Sequence, residues 1–211
     1  RLPMIKGIYF FIIYIIGMST TRPSVGYHIL ALVTIAVWGT TFVSTKVLLS
    51  HGLTPPEIMF YRFIIAYALT WIFTRKVWAD TWKDELLLSL AGFTGGTLYF
   101  LAENTALDYS ITSNVALVVC VTPVLTALLT SLCYKERITA RLVVGSVVAL
   151  SGVGFVVLNG TVLKIHPLGD ALALVAAVAW AVYSVVIRRF DGCYTTWFVT
   201  RKVFFYGIVT M

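Results

Sequence analysis

Glu103 is the residue of this chain whose setting most invites chemistry. It stands in an apolar stretch, residues 86–107, with Asn104 beside it and Tyr99 one helical turn earlier. A carboxylate inside a membrane costs roughly 3 kcal/mol at the bilayer centre, so it turns to a cavity or a partner. There it can bind a cationic group or a proton, which makes Glu103 the candidate for ion coupling. Nearer the edge, the same residue serves as an interfacial cap that reaches water. Lys46 and Arg62 form a second charged set, able to draw anionic solutes or to pair with Glu57 or Glu103. Long basic side chains also snorkel to an interface without further role. Trp38, Thr41 and Ser44 place an aromatic ring and hydroxyls in one apolar stretch, and Trp180 and Tyr183 do so in another. These residues fit a cavity lining as well as simple packing between helices. Asn114 and Pro123 share a further stretch, where proline predicts a kink and frees the carbonyl of Val119.

The elements that carry these residues are read from composition. Of 211 residues, 59% are hydrophobic and 12% charged, against about 25% charged in soluble domains. A soluble globule of this size cannot hide so much apolar side chain; a bilayer can. Seven runs are predicted as membrane helices or parts of them: 28–49, 57–74, 86–107, 111–133, 142–159, 168–187 and 195–211. Each complete run matches the roughly 20 residues needed to cross hydrocarbon. Breakers and polar residues separate them, among them Gly52 with Pro55 and Pro56, Asp108, and Asp191 with Gly192.

Loop charge tests that reading. Eleven of the sixteen Lys and Arg fall in the amino-terminal segment and in alternate connections, and only Lys164 falls in the others. The bias sets the amino terminus in the cytoplasm and implies a multi-pass protein of the inner (plasma) membrane. The net charge of +7 is spread through these turns, without the basic stripe that a nucleic-acid groove needs, so no nucleic acid is expected as a partner. Lipid and a small-molecule solute are. Cys120, Cys133 and Cys193 lack any C-x-x-C spacing and read as small apolar fillers. Residues 1–25 read as a leader, with Met18 as the expected start and residues 1–17 as upstream translation.

The chain also repeats itself. With Trp38 aligned on Trp180, Ala31 and Leu32 match Ala173 and Leu174, Val43 matches Val185, and Lys46 matches Arg188. Arg62 then aligns with Arg201, which with Lys202 forms a counterpart pair, and Tyr67 aligns with Tyr206. Five helices separate the copies. An odd number places them in opposite orientations, an architecture of secondary transporters whose halves exchange conformations. The domains expected are a first five-helix repeat over 26–160 and the start of a second over 166–211. Gly145, Ala149 and Gly152 form a small-residue face on the fifth helix, read as close helix packing or a homodimer seam.

Several stretches resemble the EamA-like branch of the drug/metabolite transporter superfamily. Trp38, Gly39 and Phe42 look like its first-helix W-G-x-x-F pattern. Residues 106–110 and 113–117 are similar to its third-to-fourth helix junction, and Pro123, Thr126 to Leu129 and Glu136 to Thr139 to a P-x-x-T-A-L-L…E-R-x-T pattern. The resemblance implies an all-α polytopic bundle of ten helices in two inverted five-helix repeats around a cavity for small metabolites. About seven of the ten would be present here. It implies a secondary transporter of amino acids, related solutes or drugs. A non-transporting assembly subunit is the first alternative. An intramembrane enzyme is the second, and it is disfavoured because no H-E-x-x-H or G-x-S-x-G spacing occurs. No Gly-rich phosphate loop, cofactor motif or metal cluster is evident either.

Overall fold

The computed structural model describes residues 25–135, 137–158 and 166–211. The upstream leader, the Met18 start and the connection carrying Lys164 lie outside the described residues. Regular structure among the described residues is helical throughout. The helices are α1 (Val25–Ser50), α2 (Pro55–Thr70), α3 (Trp82–Ala91), α4 (Tyr99–Tyr109), α5 (Thr112–Val119), α6 (Thr122–Tyr134), α7 (Ala140–Leu158), α8 (Pro167–Ile187) and α9 (Thr196–Val209). A π-helical segment, Gly92–Leu98, joins α3 to α4 into one rod, and a 3₁₀ turn, Arg188–Phe190, follows α8. Among the described residues, four rods are long and apolar enough to cross a membrane: Ile29–Ser50, Trp82–Tyr109, Thr112–Tyr134 and Pro167–Phe190.

The outward faces show which solvent these rods expect. Leu32, Val37, Ile65, Ile72, Leu132 and Phe155 are all exposed, Leu32 by 68% and Ile72 by 75%. At roughly 25 cal/mol per Å² of apolar surface, such a coat is untenable in water. In lipid it costs nothing. The interior is built differently. On α8, Ala173, Ala176, Ala177, Ala179 and Ala181 are buried, and these small side chains let α4, α5 and α6 come close. Helix α8 is thereby the central post.

The second and fourth expected runs depart from one unbroken helix, each for a visible reason. The second helix was expected to run to residue 74 but ends at Thr70, after which residues 71–73 turn. The Thr74 carbonyl accepts from the Arg201 guanidinium at 2.7 Å, which fixes the chain on its exit path. Its start is set by a capping box, in which the Thr54 N–H and hydroxyl both donate to Glu57 Oε2 at 2.8 and 2.7 Å. The fourth rod breaks at Cys120 and Val121, just ahead of Pro123, where the sequence predicts a kink. The Val119 carbonyl that proline leaves free finds a local donor. It accepts from the Thr122 hydroxyl at 2.6 Å.

The π segment has no forewarning in hydropathy. Its sequence is Gly-Phe-Thr-Gly-Gly-Thr-Leu, and its glycines admit neighbours too close for a side chain. A methyl on Gly95 would overlap the Tyr183 ring, and one on Gly96 would lie 3.1 Å from Gly207 Cα. Wide turns of this kind often mark functional places in helices. By contrast, part of the small-residue face of α7 is open: Ala149 and Gly152 are exposed, and Gly152 has open space within 4 Å. The three cysteines, which lie at or near helices, are free and exposed.

Candidate functional site

Glu103 and Tyr99 are four residues apart on one face of α4, which puts the phenol over the carboxylate. The Tyr99 hydroxyl donates to Glu103 Oε1. Glu103 is only 4% exposed, so it is no interfacial cap. Asn104 beside it is fully buried, and neither its Oδ1 nor its Nδ2 has a hydrogen-bond partner. Two polar side chains of adjacent residues are thus withdrawn from solvent, one satisfied and one not. Burying an unsatisfied amide costs about 1–3 kcal/mol.

An aromatic cluster adjoins the carboxylate. The Tyr99 and Trp180 rings lie 4.6 Å apart, Trp38 and Trp180 5.2 Å, and Trp180 and Tyr183 5.1 Å. Phe100 meets the Tyr99 ring edge-on at 4.8 Å, and the Arg62 guanidinium lies 5.4 Å from the Phe100 centroid. Arg62 makes no direct ion pair with Glu103 but lies within its electrostatic reach. Trp38, Arg62, Tyr99, Glu103, Trp180 and Tyr183 therefore gather at one place, from four different rods.

The remaining sequence candidates make other contacts. Thr41 turns its hydroxyl back to the Trp38 carbonyl at 2.7 Å. Ser44 bonds the Thr40 carbonyl at 3.0 Å and lines an open groove on α1 with Val43, Val47 and Leu48. Asn114 is buried in α5. Lys46 does not join the cluster, and it pairs with no acid among the described residues. Its ammonium donates to the Leu107 carbonyl and reaches those of Asp108 and Ser110 at 3.4 and 3.3 Å. A cation there completes the carboxyl end of α4 and complements its dipole. Glu57, occupied by its capping box, is likewise no partner for Lys46 or Arg62.

Sequence reasoning missed Glu85. Its carboxylate is buried and paired with Lys202 of α9, while Tyr206 donates to the same oxygen. Opposite charges in separate apolar helices were the available signal. Their separation of 117 residues hid the pairing.

This geometry defines a multi-pass helical membrane protein with a polar centre held between aromatic rings. The model of the EamA-like transporter family matches residues 25–158, and the chain belongs to that family. An uncharacterized transporter of Archaeoglobus fulgidus is 30% identical over 165 residues, 75% of this chain and 56% of its own length. YyaM, an uncharacterized transporter of Bacillus subtilis, is 30% identical over 168 residues, covering 73% of this chain and 53% of YyaM. An uncharacterized transporter of Clostridium kluyveri is 26% identical over 196 residues, 87% of this chain and 63% of the relative. No solved structure matches. The chain spans about half the length of the curated relatives it matches.

Proposed function

We propose that the full-length protein is a secondary transporter that moves small metabolites, such as amino acids, related solutes or drugs, across the inner membrane. It works by alternating access, with the amino terminus in the cytoplasm and two inverted five-helix repeats, the first over residues 26–160 and the second starting at 166. The buried Glu103 carboxylate, held by Tyr99 inside an apolar rod, carries this reading. A charge at that depth is retained at a cost, and binding a proton or a cationic solute group is what offsets it. The contact of Trp38 with Trp180 supports the repeat, because the internal alignment matches those two residues. Exposed Ala149 and Gly152, on the small-residue face shared with Gly145, support a homodimer.

Uptake and efflux profiling of the full-length protein in reconstituted vesicles tests the reading and names the solute. Glu103→Gln keeps the shape and removes the charge, and it is expected to lower proton- or cation-dependent flux. Unchanged flux removes Glu103 from the mechanism. No flux of any solute, from well-folded protein, favours a non-transporting assembly subunit.

A further inference from the structure

A second buried ionic centre lies away from Glu103, at the end of the bundle formed by the 71–81 connection. Glu85 is 6% exposed and Lys202 3%. The Lys202 ammonium and the Tyr206 hydroxyl both donate to Glu85 Oε1, and the Ala79 N–H donates to Oε2 at 2.9 Å. Both carboxylate oxygens are thus engaged. Lys202 also sits 4.6 Å from the Trp78 centroid and 5.3 Å from that of Tyr206. Outside this layer, the Tyr194 hydroxyl donates to Asp84 Oδ2 at 2.9 Å and accepts from the Asp80 N–H at 2.9 Å. Lys76 pairs with Asp80 at 2.6 Å.

Stability alone gives no reason for such a pair. Well-packed apolar residues hold two helices together as firmly as a buried ion pair, without its desolvation cost. Further along the same rods, that is how the interface is made: Gly92 and Gly96 meet Val203 and Gly207 without any charge. What an ion pair adds is a sharp choice between two arrangements. Joined and dry, the ions satisfy each other; parted and wet, water satisfies them; parted and dry is costly.

We propose that Glu85, Lys202 and Tyr206 form a charge latch that closes the bundle at the 71–81 end, and that the α3–α4 rod and α9 separate there only when the Glu85–Lys202 pair breaks. The latch rests on the alternating-access reading and supplies one of its two closures. Its sign can be worked out. Glu85→Gln leaves the Lys202 charge buried without its counter-ion, which favours the wet, parted arrangement. Adding Lys202→Met removes the remaining charge and restores closure.

Thiol labelling of the full-length protein in a background free of other cysteines tests this without any solute. Ala91→Cys reports the interior near the latch, and Ala173→Cys reports the interior near the opposite end; both alanines are fully buried. With Glu85→Gln, modification of Ala91→Cys by a membrane-impermeant maleimide is expected to rise roughly tenfold or more, while Ala173→Cys keeps its rate. Glu85→Gln with Lys202→Met returns both positions to the slow rate. An unchanged rate at Ala91→Cys overturns the latch, and so does an equal rise at both positions, which is general unfolding. If Glu85→Gln cannot be purified, Tyr206→Phe removes one donor only and raises Ala91→Cys labelling by less; no rise overturns the proposal. A working latch in protein that moves no solute indicts the transport reading instead, and flux without a latch response indicts the latch.

Discussion

Lys202→Met alone is expected to cost the folded bundle about 3 kcal/mol, the lower end of what removing one partner of a buried pair costs. The loss comes less from the missing attraction than from what remains. Glu85 stays buried with its negative charge and keeps only the Tyr206 hydroxyl and the Ala79 N–H as donors. Those two bonds hold the cost at the lower end. The rings of Trp78 and Tyr206 lose the ammonium they faced, but methionine packs well against aromatic edges and offsets part of that loss. Thermal unfolding in detergent, followed by tryptophan fluorescence, measures the change. Combining the substitution with Glu85→Gln is expected to recover most of it, because the double variant buries no charge at all. A double variant as unstable as the single would mean that the lysine acts through its stem and not through its charge.

The contrast between Glu103 and Glu85 shows how far sequence reaches into this protein. Tyr99 and Glu103 are four residues apart in one apolar run, and helical periodicity alone places them together. Trp38 and Trp180 are 142 positions apart, yet internal alignment pairs them and their rings do touch. The rods were legible for the same reason, since apolar length and punctuation are local properties. Glu85 had no such help. It sits at the start of its rod, where an acid reads as an ordinary first-turn residue, and its partner is on a rod the local pattern does not connect to it. Lys46 misled in the opposite way. Its charge suggested solute or acid, but its targets are backbone carbonyls at the end of α4, and no side-chain pattern announces those. The π segment is the third case: Gly92, Gly95 and Gly96 mark a place of close approach, but what approaches is set by tertiary packing.

Gly92→Ala turns that close approach into a measurable cost. The added methyl would overlap Tyr206 Cβ and stand 3.1 Å from the Val203 carbonyl oxygen and 3.3 Å from the Gly207 nitrogen. Two of these neighbours are backbone, so no rotamer change makes room and α9 itself must shift. Overpacking of this kind costs about 1–3 kcal/mol, against a gain of up to about 1 kcal/mol from replacing glycine by alanine in a helix. A net destabilisation of about 1–2 kcal/mol is expected from that balance. Gly152→Ala is the control: with open space around it, only the helix gain of up to about 1 kcal/mol remains, and the melting temperature should rise or hold. The shift has a second consequence, because α9 carries both Lys202 and Tyr206. Moving it outward loosens their grip on Glu85. Tyr206→Phe should therefore cost less in the Gly92→Ala background than alone, a non-additivity that a double-mutant cycle reads directly. Additive costs would show that the glycine contact and the ionic centre are independent fastenings of the same two rods.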